Sequence, residues 1–227
     1  MKKKDWKDPF YAYEIGIRRL RIVIDVTKSS RPFPNEVDCL SDVAAEFRDG
    51  QVNSVLDFGA GKLRNTLFLL DSGFTVYAVE FSKAFATPKA QERLKLAHHH
   101  TGFFFLEYPD DFLGFQGQLD AALLVNVVNI VPEPSERIKI LRECAKRLKP
   151  GAPMLIMTQY GEPNYDAGAT NRRKLKDGFC YNLDDKLKTF NRNYSIPQLH
   201  ALVPSRYYTF DHDVRSKHHR ALLFRRK

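Results

Sequence analysis

From residue 54 to residue 158, short apolar runs alternate with stretches of helical period, and this alternation limits the fold more than any other feature of the chain. The runs are Ser54–Phe58, Val76–Glu80, Phe103–Leu106, Leu119–Val125 and Met154–Thr158. Each is short, apolar and bounded by glycine, proline or charge, which predicts buried strands. Helices are expected over 62–72, stopped by Gly73; over a charged stretch that includes Pro88 and reaches about His98; and over 134–148. The last opens on Pro134 and Ser135, carries Ile138, Leu141, Ala145 and Leu148 on one face, and ends at Lys149-Pro150-Gly151. Strand and helix in strict alternation predict an α/β fold, a doubly wound and mostly parallel sheet with helices on both faces.

The flanks read differently. Tyr13, Ile17, Leu20 and Ile24 recur at helical spacing with arginines between them, which predicts an amphipathic helix over 10–27. Ser29-Ser30-Arg31-Pro32-Phe33-Pro34 is a loop, and a second helix is expected over 36–48, ending near Gly50. After the fifth strand, 160–194 reads as irregular and too long for an ordinary connection, so an inserted lid is expected there. The tail reads as a helix over 195–203 and strands over 206–211 and 219–225. The expected organisation is a helical arm and cap over 1–50, then one domain over 51–227 with the lid at about 160–194.

In open parallel sheets a ligand binds beyond the carboxyl ends of the strands. The first such end is Asp57-Phe-Gly59-Ala-Gly61-Lys-Leu-Arg-Asn65, a glycine turn between strand and helix. Glycines let the backbone turn tightly and approach a ligand, and the helix start offers free N–H groups. The next strand ends on Glu80, where a carboxylate can accept both hydroxyls of a ribose. A nicotinamide dinucleotide wants a third glycine where Arg64 stands, and Asp57 would repel a pyrophosphate. The same carboxylate suits a ligand that carries an ammonium and a sulfonium.

Val55-Leu-Asp-Phe-Gly-Ala-Gly61 resembles the first motif of class I S-adenosylmethionine-dependent methyltransferases, and Val79-Glu80-Phe81-Ser82 the second. Asp120-Ala-Ala-Leu-Leu-Val-Asn126 resembles the family's fourth strand, and Leu141 to Pro153 its helix and turn into the fifth. The resemblance spans about 50–160, with Leu63 in place of the motif's usual third glycine. It implies a three-layer Rossmann-like sheet of about seven strands with an antiparallel C-terminal strand, S-adenosylmethionine as cofactor and S-adenosylhomocysteine as product. It also implies that Gly59, Ala60 and Gly61 approach the cofactor, Asp57 lies near its methionine part, Glu80 holds the ribose and Phe81 packs on the adenine. Arg31 is placed by geometry alone to pair with the cofactor carboxylate.

The acceptor is expected beyond the fourth strand, near Asn126-Val-Val-Asn-Ile-Val-Pro132. Enzymes that methylate exocyclic base nitrogens carry prolines after such an Asn; Val127 and Val128 stand there, so adenine or cytosine N-methylation is not supported. Asn126 either orients acceptor or cofactor or satisfies local backbone groups. Tyr160, Glu162 and Tyr165 follow the fifth strand on the same side; Glu162 is read as a general base, as a group that binds a cationic acceptor, or as an exposed loop acid. From Arg172 to Tyr194, basic residues interleave with Phe179, Tyr181, Phe190 and Tyr194, which suits base stacking or a lid over a small substrate.

A formal net charge of +9 favours a polyanion such as nucleic acid as one class of partner, with basic residues gathered at the start, at 172–176 and from Arg215 to Lys227. Consecutive His98, His99 and His100 on a helix make a poor chelate, and Cys39, Cys144 and Cys180 form no pair, so neither a metal site nor a disulfide is expected. No apolar run approaches a membrane span, and a reducing cytoplasm is the expected setting. The sequence is read as a methyltransferase acting on a small molecule or nucleic acid, in an oligomeric state it does not specify; the alternative is a non-catalytic module that binds S-adenosylmethionine or a nucleotide.

Overall fold

The computed structural model describes residues 9–15, 20–29, 36–159, 172–175, 177–182 and 188–227. Its main sheet has seven strands: β3 (Ser54–Phe58), β4 (Thr75–Glu80), β5 (Phe103–Glu107), β6 (Ala121–Val125), β7 (Pro153–Gln159), β11 (Tyr208–Val214) and β12 (His219–Arg226), in the order β11-β12-β7-β6-β3-β4-β5. Strands β3 to β7 pair in parallel, and β12 runs antiparallel to both β7 and β11. The order reverses between β3 and β6, so the carboxyl end of β3 opens on a crevice. Strand β6 is buried at all five positions, as expected for a strand covered on both faces.

Helices α1 (Leu40–Asp49), α2 (Arg64–Asp71) and α3 (Pro88–His98) pack on one face through Val43, Phe47, Leu69 and Ala90. Helices α4 (Asp110–Gly114), α5 (Pro134–Lys146) and α6 (Ile196–Leu202) pack on the other through Phe112, Leu141, Cys144 and Leu199. Each of these larger side chains contributes about 1.5–3 kcal/mol on leaving water. Thr87 caps α3 and Ser195 closes a capping box with Gln198 on α6, which fixes where both helices begin. Among the described residues, no helix is long and apolar enough to cross a membrane.

The N-terminal segment departs from the expected helix. Strands β1 (Phe10–Ile15) and β2 (Leu20–Asp25) pair antiparallel, Phe10 opposite Asp25 and Ile15 opposite Leu20. The sequence there also alternates with period two and is rich in aromatic and β-branched residues, which favour a pleated surface. The stretch over 160–194 departs too: it contributes β8 (Arg172–Leu175), β9 (Gly178–Asn182) and β10 (Lys188–Asn191). These five strands form a second sheet in the order β1-β2-β10-β9-β8, so the helical arm is a pair of strands that shares a sheet with the insertion.

The second sheet caps the first at its carboxyl edge. Tyr11, Ile24, Cys180 and Phe190 join the core cluster that contains Leu56, Phe58 and Ile140. The ammonium of Lys83, just after β4, stands 3.6 Å from the Phe10 ring. Tyr11 hydrogen-bonds Glu136 in the first turn of α5. Past β6, Asn129 donates to Asn191 at 3.0 Å and its carbonyl accepts the Arg192 N–H at 2.9 Å.

Arg137 joins cap and core. It is fully buried on α5, where Ile138 is 40% exposed, so the helix is rotated from the face expected from sequence. Its guanidinium donates to the carbonyls of Val131 at 2.7 Å and Pro132 at 3.1 Å and pairs with Asp177, which also pairs with Arg192. A buried cation of this kind is tolerated because every face of it has a partner.

Candidate active site

The site begins where β3 stops. Gly59 and Gly61 have φ of 72° and 58°, the left-handed region that glycine enters without cost. A Cβ on Gly59 would lie 2.6 Å from Cγ2 of Val127, so the turn after β3 passes directly against the turn after β6. Leu63 also takes a left-handed φ, 61°, where the usual motif has glycine. That conformation costs a leucine about 1–2 kcal/mol, offset by full burial of its side chain.

Two carboxylates frame the turn. Glu80, at the end of β4, accepts the Gly61 N–H through Oε2 and the Phe81 N–H through Oε1, both at 2.8 Å. These bonds carry the end of the second motif onto the glycine turn of the first and leave further lone pairs on each oxygen. Burial pushes the Glu80 carboxyl up to about 7, against the pull of the two amides. Asp57 is 1% exposed and accepts the Thr66 hydroxyl of α2 at 2.6 Å; burial pushes it up to about 6, with Thr66 and Arg64 opposing. Arg64 opens α2, in the place a dinucleotide fold gives to glycine.

An aromatic wall stands beside the carboxylates. Phe81 meets Tyr108 edge-on at 5.2 Å, and Tyr108 meets Phe58 at 5.5 Å. Phe58 in turn meets Phe112 at 5.0 Å. Tyr108 follows β5, and its N–H donates to the Glu80 carbonyl at 3.0 Å, which holds the wall at the level of the crevice.

Residues 56–154 match the family model described as a methyltransferase domain, and they span both motifs, the glycine turn and strands β3 to β6. Over that stretch, a little under half of its length, the chain is similar to a methyltransferase domain. Solved structures share its fold. The PH0226 protein of Pyrococcus horikoshii aligns with a TM-score of 0.68 at 17% identity, covering 88% of this chain and 99% of that one. The CcbJ methyltransferase of Streptomyces caelestis aligns at 0.62 and 15%, covering 87% and 94%. The 1,6-didemethyltoxoflavin-N1-methyltransferase of Burkholderia thailandensis, solved with its acceptor and S-adenosylhomocysteine, aligns at 0.57 and 18%, covering 85% and 80%. Comparison with curated protein sequences gives no match.

At the ends of β3 and β4, Glu80 gathers the backbone of Gly61 and Phe81, with Asp57, Gly59 and Ala60 in the same strand end and turn. Asn126 directly follows β6 with a φ of 58°, and its Oδ1 accepts the Gln159 N–H at 2.7 Å, so it ties the end of β6 to the end of β7. Arg31, Tyr160, Glu162 and Tyr165 lie outside the described residues. His98 stacks edge-on with Phe103 and His100 pairs with Asp71, an arrangement without a chelate. Cys39, Cys144 and Cys180 are buried, and burial raises the Cys144 thiol well above its ordinary range. Glu46, Asp211 and His212 are close enough to share an ion, but Arg225 already pairs with both carboxylates.

Sequence reasoning missed the cap's contribution: Tyr11, Asn129, Arg137 and Asp177. A signal existed in α5, where Arg137 falls three and four residues before Ile140 and Leu141, on the apolar face. Part of the basic cluster at 215–227 is held internally: Arg225 pairs with Asp211 and Glu46, and Arg226 donates to the carbonyls of Ala145 and Tyr207.

Proposed function

We propose that this chain is an S-adenosylmethionine-dependent methyltransferase acting on a small acceptor that binds between the crevice and the second sheet. The observation that carries the reading is the Glu80 carboxylate held by Gly61 and Phe81 at the mouth of the glycine turn. Its remaining lone pairs are placed to accept the ribose hydroxyls, and Phe81 offers a ring to the adenine. Asp57 and Glu80 are carboxylates that burial burdens, and a cationic ligand relieves both. A dinucleotide is disfavoured because Arg64 opens α2 where a pyrophosphate-binding turn needs a glycine.

When bound, S-adenosylmethionine supplies an electrophilic methyl group on a sulfonium. The protein's part is to hold that group in place, to position an acceptor against it and to exclude water. Tyr11 and Phe190 from the second sheet share the buried cluster with Phe58 at the β3 end, so the crevice is covered from above. A covered crevice suits a small molecule better than a duplex, and the Burkholderia neighbour holds an acceptor of that size. Internal use of Arg225 and Arg226 weakens the nucleic-acid reading.

Calorimetric titration with S-adenosylmethionine, S-adenosylhomocysteine and NADH tests the reading. Binding of both adenosyl ligands, lost in Asp57→Ala, and none of NADH is expected. Silence toward both adenosyl ligands in folded protein would overturn it.

A further inference from the structure

An open sheet ends in two outer strands, and each turns a row of main-chain groups away from its one neighbour. In the main sheet these strands are β5 and β11. The Gly102 carbonyl accepts the Val76 N–H of β4 at 2.8 Å, and the Tyr108 N–H donates to the Glu80 carbonyl at 3.0 Å. Main-chain direction alternates along a strand, so Phe103, Phe105 and Glu107 turn theirs outward. Both ends of that outer edge are closed locally: the Phe103 N–H donates to the His100 carbonyl at 3.2 Å, and the Glu107 N–H to Asp111 Oδ2 at 3.0 Å. The middle of the edge is the N–H and C=O of Phe105. Among the described residues, β4 is the one strand that pairs with β5.

Outer strands are commonly guarded by a charge, a proline or a bulge. Strand β11 has such guards, a register shift between Phe210 and His212 and the exposed Asp211 and Asp213. Strand β5 reads Phe-Phe-Phe-Leu-Glu and has no charge before its last residue. Phe104, stacked on Tyr77 at 4.8 Å, is 44% exposed. Polar groups stand at the two ends of this apolar edge in opposite sense. Exposed His98 and His99 precede β5, and His98 lies edge-on to Phe103 at 5.0 Å; exposed Glu107 and Asp111 close it. A second strand of the same sequence, turned by a two-fold axis, meets histidine with acid at both ends. A histidine ring donates to a carboxylate whether charged or neutral.

We propose that the outer edge of β5 is a docking surface for a second copy of this chain, the two β5 strands pairing antiparallel about a two-fold axis at Phe105. The two Phe105 residues exchange both of their main-chain hydrogen bonds, the pattern of a hydrogen-bonded antiparallel pair. Phe104 of each copy then stands opposite Leu106 of the other, on the face where Leu106 and Tyr77 pack against the core. Glu107 of each copy stands opposite Phe103 of the other, beside the His98 ring. The pairing is isologous and closes at two copies, joining two seven-stranded sheets into one. It stands apart from the methyltransferase reading and holds or fails without it.

Sedimentation equilibrium of the full chain at micromolar concentration tests the proposal, with circular dichroism melting to show that each variant is folded. The parent is expected to sediment at twice the mass of the chain. Phe104→Lys puts a charge on the apolar edge and is expected to sediment as a monomer. Phe210→Lys puts the same charge on an exposed aromatic residue of β11, 43% exposed, and is expected to remain a dimer. Glu107→Lys is expected to weaken the dimer about tenfold, since the contact occurs twice, and His98→Glu added to it is expected to restore the parent's affinity. A monomeric parent, assembly beyond two copies, or a dimer that survives in whichever of Phe104→Lys and Glu107→Lys is folded would overturn the proposal. So would loss of the dimer in folded Phe210→Lys, which would place the interface at β11.

Discussion

Replacing Glu80 with glutamine separates the cost of this carboxylate to the fold from its use in binding. A glutamate that releases its proton near 7 in the folded chain, against an ordinary 4.5, lowers stability at high pH. The sign follows from linkage: between these values the folded state holds more protons than the unfolded one, so stability falls as pH rises. The full difference amounts to about 3 kcal/mol at about pH 8, and water reaching the partly exposed side chain trims it to about 2. A neutral amide in its place carries no such penalty but has a single oxygen for two N–H donors, Gly61 and Phe81, and loses about 1–1.5 kcal/mol there. Glu80→Gln is therefore expected to be about 1 kcal/mol more stable than the parent at about pH 8, and no more stable at about pH 5.5, where most of the ionisation penalty has gone. Its affinity for S-adenosylmethionine is expected to fall about a hundredfold, the loss of two charge-assisted hydrogen bonds to a ribose less one neutral bond regained. Urea unfolding at both pH values and calorimetric titration measure the two effects. Parent-like affinity, or a variant less stable than the parent at the higher pH, would refute the reasoning.

Gly59→Ala meets both a left-handed φ and the methyl of Val127, and is expected to lose roughly 2–4 kcal/mol in urea unfolding; adding Val127→Ala should restore the steric share alone. Arg137→Leu strands the carbonyls of Val131 and Pro132 and half of the Asp177 pairing, so a loss of about 3–5 kcal/mol is expected by the same assay. Cofactor binding should weaken as pH falls through about 7 and then about 6, as Glu80 and Asp57 take up protons; titration in buffers of different ionisation enthalpy should register proton release on binding near neutral pH.

The parts of the fold legible in sequence are those whose structure is decided locally. Ser54–Phe58 is apolar on both faces and stops at glycines that the turn needs, so strand, turn and site could be read together. The same holds for Glu80, whose position at a strand end brings it to Gly61. The first strands were not legible because their apolar residues satisfy a period of 3.6 as well as a period of 2, and the choice between them is made by β10, far away in sequence. Strands β8 to β10 were hidden for the same reason: polar residues occupy much of them, and their partners lie in one another and at the N-terminus. Asn129 carries no signal of its own in sequence, because its partner Asn191 lies 62 residues further along.

That Ile24 finds its neighbour in Lys188 has a bearing on how the chain is made. During synthesis β1 and β2 emerge well ahead of β10, while β3 to β7 assemble by near-local pairings. Until β10 appears, the backbone edge of β2 that it covers stays unpaired, a template for pairing between nascent chains.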